Sequence, residues 1–266
     1  MRVFVLSSGS CGNAVVVEAE GVRILLDAGI GPKKAVHAMR ALGDDIFPRG
    51  FDAIVITHHH GDHMAHLEPH ARATGAPLYL HSGISAPQAR KKFEVRGYEP
   101  GDSFSVGPLT VRSLPLPHDA PQVALSVTSS SRAFGMATDL GHVPKSLIEL
   151  FGACDSVLVE SNYCPELLHS GPYPMHLKRR VSGELGHLSN DQTADLAAAL
   201  LGSRLGRLYL CHLSKVNNSP ARALQTVQSR VPDLEVRVIG HGEPLLLDME
   251  PRHPTRRRAE QLSLFF

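Results

Sequence analysis

A chain of 266 residues, 42% hydrophobic and 20% charged, has the composition of a globular protein with room for one large core or two small ones. Its formal net charge of +1 excludes an overall basic field, so any nucleic-acid partner has to be met by a local patch. No apolar run approaches the roughly 20 residues of a membrane span, and MRVFVLSSGS leads straight into strand-like sequence without the apolar core of a secretory signal. The four cysteines, Cys11, Cys154, Cys164 and Cys211, form no C-x-x-C pair and suit a reducing cytoplasm better than a disulfide framework. Sixteen histidines point toward metal chemistry.

Taken in chain order, Val3–Leu6, Ala14–Ala19 and Val22–Leu26 are short valine-rich runs separated by glycines and predict a β-meander. Pro32–Leu42 has helical spacing, and Phe51–Thr57 is a continuous apolar run expected of a strand buried on both faces. Strands are predicted at Leu78–Leu80, Leu109–Leu114, Val123–Thr128, Ala133–Ala137, Ser156–Glu160, Leu208–Cys211 and Glu235–Ile239. Helices are predicted at 63–74, 84–92, 144–151, 190–201 and 220–230, the last with Ser219 as cap and Pro220 in its first turn. Two similar half-sheets packed together fit this order. The composition changes near Met249, dividing a 1–248 catalytic domain from a basic, proline-containing 249–266 tail.

Directly after the buried strand stands Thr57-His58-His59-His60-Gly61-Asp62-His63. A glycine-containing loop can turn His58 and His60 to one point, while a helix starting near Asp62 presents Asp62 and His63 to the same cavity. Imidazole nitrogen with carboxylate oxygen suits zinc or manganese. Four ligands within six residues exceed what one ion takes from one loop, so two adjacent divalent ions are implied. His59 is the odd one out and is expected to point away or to contact the ligands from behind. His66 and His70, at i and i+4 beyond the loop, read as an exposed helix face.

Together with LSSGSCGNA (6–14), LLDAG (25–29), LPHDAP (116–121), ATDLG (137–141), ESN (160–162), GPYPMHLKRRVSGELGHLSN (171–190) and CHLSKVNNSP (211–220), the pattern resembles the metallo-β-lactamase superfamily. Within it, the chain looks most like the YycJ/WalJ-like branch of DNA exonucleases. The resemblance implies an α/β fold, the αββα four-layer sandwich. It implies that His118 joins His58 and His60 on one ion, that Asp62, His63 and His212 hold the second, and that Asp139 bridges both. Asp27 is then a buried carboxylate orienting the ligands. His187 is expected to touch the scissile phosphate and protonate the leaving oxygen, so that Asp62, His187 and Asp27 form the catalytic set. Ser189, Asn190, Asn217 and Asn218 are candidates for phosphate oxygens, and Lys178, Arg179, Arg180 and Lys215 for steering the backbone. Cys11, where the branch usually has serine, and Tyr163-Cys164, where a His-Asp pair is common, depart from its pattern without touching a predicted ligand.

The tail ends Gln261-Leu262-Ser263-Leu264-Phe265-Phe266, and QLSLF resembles the bacterial sliding-clamp-binding pentapeptide. The expected function is a two-metal 5′→3′ DNA exonuclease in repair, plausibly mismatch repair, tethered to the clamp and associated with the nucleoid. A ribonuclease or small-ester or thioester hydrolase on the same site is the alternative within enzymes. An inert clamp-tethered DNA-binding protein is the alternative outside them.

Overall fold

A computed structural model describes residues 1–249. In chain order its elements are β1 (Arg2–Ser7), β2 (Ala14–Ala19), β3 (Val22–Leu26), α1 (Pro32–Ala41), β4 (Ala53–Ile56), α2 (Gly61–Met64), α3 (Leu67–Thr74), β5 (Leu78–His81), α4 (Pro87–Lys92) and β6 (Val95–Tyr98). The second half runs β7 (Ser103–Val106), β8 (Leu109–Leu116), β9 (Gln122–Thr128), β10 (Ala133–Ala137), α5 (Lys145–Gly152), β11 (Ser156–Glu160), α6 (Pro165–Ser170), α7 (Met175–Val181), α8 (Asn190–Ala199), β12 (Arg207–Cys211), α9 (Pro220–Arg230), β13 (Glu235–Val238) and β14 (Leu245–Leu247).

Two seven-stranded sheets form, in the orders β14-β1-β2-β3-β4-β5-β6 and β13-β12-β11-β10-β9-β8-β7. Each sheet begins with antiparallel pairings, β14 to β3 in one and β7 to β10 in the other. Each continues in parallel, β3 to β6 and β10 to β13. The parallel strands carry apolar side chains toward both faces, because a helix layer covers the side away from the partner sheet. Thus Val55 joins the core between the sheets, while Ile54 and Ile56 join the core beneath α1 and α3. On the other sheet Leu158 faces the inter-sheet core, and Val157 and Val159 pack under α5 and α8. The αββα sandwich expected from the resemblance is the observed architecture.

Helices α6 and α7 were not predicted, and further details differ from the sequence reading. The helix expected over 63–74 is broken at Ala65–His66, where the His66 N–H leaves the helical ladder and donates to the Ala28 carbonyl. Strands β6, β7 and β14 were not predicted; all three lie at or next to sheet edges, where exposed positions dilute the apolar pattern. Met249, placed at the start of the tail, is buried against the inter-sheet core, and its carbonyl accepts from Arg132 Nε at 2.9 Å. The clamp-binding reading of Gln261, Leu262, Ser263, Leu264 and Phe265 falls outside the described residues.

Candidate metal centre

The site lies where the strand ends of both sheets meet. Asp27 follows β3, Asp139 lies two residues beyond β10, and His212 follows β12; all three have left-handed backbone, with φ of 61°, 56° and 51°. Left-handed geometry is uncommon outside glycine, though Asp and His tolerate it better than most residues, and such residues collect at functional sites. Here it turns each chain off its strand and aims the side chain into the cleft.

The loop after β4 delivers His58 and His60, and the loop after β8 delivers His118. Their ring centroids lie 4.6 Å (His58–His60), 5.1 Å (His60–His118) and 5.4 Å (His58–His118) apart. Beside them, His63 Nε2 lies 3.0 Å from Asp139 Oδ2 and 3.7 Å from Asp62 Oδ2, and His212 Nε2 lies 3.5 Å from Asp62 Oδ2. All seven expected ligands therefore converge, in the sets His58–His60–His118, Asp62–His63–His212 and His58–His63–Asp139. His59 is exposed and outside these sets, as expected.

Buried His58 Nε2, Asp139 Oδ2 and His212 Nε2 have no aligned hydrogen bond. Orphaned buried polar atoms are rare in folded proteins. Three of them aimed at one cleft, on imidazoles and a carboxylate, are the donor set that divalent ions such as zinc or manganese take. The residues present fit such ions.

The supports behind the ligands are equally specific. Asp27, 1% exposed, accepts from the Thr57 N–H at 2.8 Å and pairs through Oδ2 with His63 Nδ1 at 2.7 Å, leaving His63 Nε2 for the cleft. Glu160, fully buried, accepts from the backbone N–H of Asp139, Leu140 and Leu188 at 3.1, 3.0 and 2.8 Å. Its Oε2 also meets Nδ1 of His187 at 3.1 Å and Nδ1 of His212 at 3.3 Å. With its oxygens so engaged, Glu160 is an anchor for two imidazoles. Asn13 accepts from the Gly9 N–H and places Nδ2 2.9 Å from His63 Nε2. Gly29 is required next to it, because a β-carbon there would lie 1.8 Å from the Asp62 carbonyl.

Electrostatics follow from this packing. Burial and the neighbouring His63 charge push the His58 pKa down to about 2. Burial disfavours charge on His63, but Asp27 and Asp139 outweigh it and raise its pKa to about 10. Burial likewise opposes charge on His187, and Glu160 and Asp139 overcome it, holding the pKa above the ordinary value. Burial pushes the Asp62 carboxyl up, and His212 and His63 bring it down to about 2.

A family model described as the β-lactamase superfamily domain matches residues 22–213. The chain belongs to the β-lactamase superfamily. It is 31% identical over 243 residues to exodeoxyribonuclease WalJ of Streptococcus pneumoniae serotype 2, covering 88% of this chain and 89% of that protein. It is 29% identical over 262 residues to exodeoxyribonuclease YycJ of Bacillus anthracis, covering 95% and 96%. Among solved structures, the metallo-β-lactamase fold protein YhfI from Bacillus subtilis superposes with a TM-score of 0.72 at 18% identity, over 93% of this chain and 99% of that one. With this superfamily's fold and its ligand cluster in place, the protein is a metal-dependent hydrolase. Among the described residues no helix is long and apolar enough to cross a membrane.

The β-lactamase-superfamily centre opens into a cavity of about 390 Å³ whose wall includes His118, His187, His212, Arg180, Lys215 and Asn217. Arg180 is held by Asp119 at 2.8 Å, Lys215 Nζ lies 3.1 Å from Cys11 Sγ, Lys178 donates to the His169 carbonyl, and Arg179 is exposed on α7. Ser189, Asn190 and Asn218 are not available to phosphate oxygens as expected. Ser189 caps α8 in a capping box with Gln192, while Asn190 and Asn218 bond to each other and to the 161–162 segment. His70, expected on an exposed face, is buried and bonded to the Ile30 carbonyl.

Three residues of the site escaped the sequence reading. Glu160 and Asn13 sit inside motifs noted for resemblance, but spacing does not reveal their inward aim. Asp119 adjoins His118, lies 3.4 Å from His60 Nε2 and 3.2 Å from His118 Nε2, and could have been noticed as the carboxylate following a ligand.

Proposed function

We propose that this hydrolase is a two-metal phosphodiesterase that degrades DNA from a 5′ end. The observation that carries the reading is His187, an imidazole held by Glu160 with its pKa raised, standing beside the ligand cluster and facing the cavity that Arg180 and Lys215 border. The likeness to proteins named exodeoxyribonucleases supports DNA as the substrate.

His58, His60 and His118 would hold one ion and Asp62, His63 and His212 the other, with Asp139 reaching both. Bound there, divalent ions supply Lewis-acid charge at the phosphate and activate water for attack. The chain's own groups do the rest. Asp27 fixes the His63 tautomer, so that its second nitrogen is presented to the cleft. Glu160 holds the His187 ring through Nδ1, leaving Nε2 to give a proton to the departing oxygen. The Glu160 carboxylate raises the His187 pKa and so favours the protonated ring. Lys215, Arg180 and Arg179 offer charge for the flanking phosphates. Action in DNA repair, mismatch repair included, and tethering to a sliding clamp by Gln261–Phe265 belong to the same proposal and rest on the QLSLF sequence.

The test is degradation of 5′- and 3′-labelled DNA, with RNA and model-ester controls, by protein loaded with Mn²⁺ and then Zn²⁺. A His60→Ala preparation runs beside it. Release of the 5′ label as mononucleotides, absent in the variant, is expected. Intact DNA with cleaved RNA or ester leaves the hydrolase standing and rejects the DNA assignment.

A further inference from the structure

The cavity beside the centre has two kinds of wall. Arg180 and Lys215 give its lining basic groups, and Tyr173, Leu177, Val181 and Val216 give it an aromatic ring and aliphatic side chains. Val216 is 46% exposed and offers an aliphatic surface at the cavity. The Tyr173 ring stacks on no other aromatic ring among the described residues, and its hydroxyl has no hydrogen-bond partner there. Asn217 is 0% exposed within the same wall, and both its amide nitrogen and its amide oxygen lack a partner.

These features discriminate among ligands. An ionised phosphate only accepts hydrogen bonds, so it can satisfy the Asn217 nitrogen and never its oxygen. A nucleobase edge offers a donor next to an acceptor, and its flat face suits an aromatic ring and aliphatic walls. The volume, about 390 Å³, falls within the roughly 300–1,000 Å³ of small-molecule sites.

Building on the nuclease reading above, we infer that this cavity receives the base of the substrate's terminal nucleotide, unstacked from its neighbour, with Tyr173 stacking on it and Asn217 meeting its edge. The phosphate contacts then belong to the basic residues, Arg180 and Lys215 in the cavity wall and Arg179 beside them. A base inside the cavity cannot stay paired, so single-stranded or frayed ends are better substrates than blunt G·C-rich duplex ends.

The experiment uses the full-length, metal-loaded protein and single-stranded oligonucleotides ending either in a normal nucleotide or in an abasic residue, at each end in turn. A terminal base is expected to raise kcat/KM at least tenfold over the abasic end. In Tyr173→Ala that ratio falls toward 1; Asn217→Ala does the same, and because Asn217 is buried its thermal melt is checked against the parent. Equal rates on the two ends, or a Tyr173→Ala variant that keeps the ratio, overturn the inference while leaving the nuclease intact. If no oligonucleotide is cut, the nuclease reading fails and binding decides the cavity by itself. Equilibrium dialysis then compares deoxynucleoside monophosphates with deoxyribose 5-phosphate: preference for the nucleotide, lost in Tyr173→Ala, supports the base site, and equal binding rejects it.

Discussion

The two halves of the sandwich run through the same sequence of strand directions, and each ends one strand with an aspartate in left-handed backbone: Asp27 after β3 in Asp-Ala-Gly, Asp139 beyond β10 in Asp-Leu-Gly. The glycine two residues on is confined in both, a β-carbon at Gly29 meeting the Asp62 carbonyl and one at Gly141 the Glu184 carbonyl at 2.1 Å. Yet the aspartates do opposite work. Thr57 and His63 use up the Asp27 oxygens, whereas Asp139 keeps Oδ2 without an aligned hydrogen bond. The same backbone device thus yields a support on one sheet and a candidate ligand on the other, and the neighbours decide which. In the first half the neighbours are Thr57, which follows β4, and His63 in α2. In the second, Glu160 from β11 takes the backbone N–H groups around Asp139 and leaves its carboxylate open.

The largest effect that sharpens this contrast is expected from Asp139→Ala. It abolishes turnover and lowers the metal-to-protein ratio measured by elemental analysis, while the fold persists by circular dichroism. Asp27→Asn, on the matching strand, is expected to cost about 10–100-fold in activity or metal affinity, the range for residues that orient ligands from behind. Equal losses in the two variants break the contrast.

Glu160→Gln tests the anchor through a pH profile. In the proposed mechanism His187 is the acid, so its contribution is expected to be present below its pKa and lost above it. The Glu160 charge raises that pKa, and replacing it with a neutral amide moves the alkaline limb of the rate profile to lower pH. An unmoved limb removes His187 or its partner from the proton transfer.

The smallest effect is on stability without metal. His63, raised to about 10, contributes stability that is complete below its ordinary 6.5 and is lost as pH rises through about 10. Glu160 and Asp62, both lowered to about 2, contribute stability present above their ordinary 4.5 and 3.8 and lost as pH falls through about 2. His58, lowered to about 2, contributes stability present above its ordinary 6.5 and lost as pH falls below it, so melting temperatures in chelator are expected to peak near pH 6.5. Metal uptake near neutral pH displaces the His63 proton, and proton release on titration measures it.

Much of this site is legible in the chain because its ligands are concentrated. His58, His60, Asp62 and His63 follow one buried strand within six residues, and so many imidazoles with a carboxylate at that spacing point to a metal. His118, Asp139 and His212 carry no such local signal and were placed by resemblance. Their convergence is a property of the sheets, since each follows a different strand. Glu160 looked like the last residue of a strand, and the Ser189–Asn190 pair looked like a phosphate site. Both readings lacked the partners, because hydrogen bonds from 139, 140 and 188 to one carboxylate span segments far apart in sequence.

The sequence by itself determined that the strand ending at Thr57 is buried on both faces, where the candidate metal-ligand loop stands and which family the motifs resemble, since periodicity and ligand spacing are local and survive without a fold. Tertiary structure alone decided which asparagines are consumed and which one, Asn217, is stranded in the cavity wall. Those outcomes depend on which hydrogen-bond partners the two packed sheets bring within about 3 Å of each side chain.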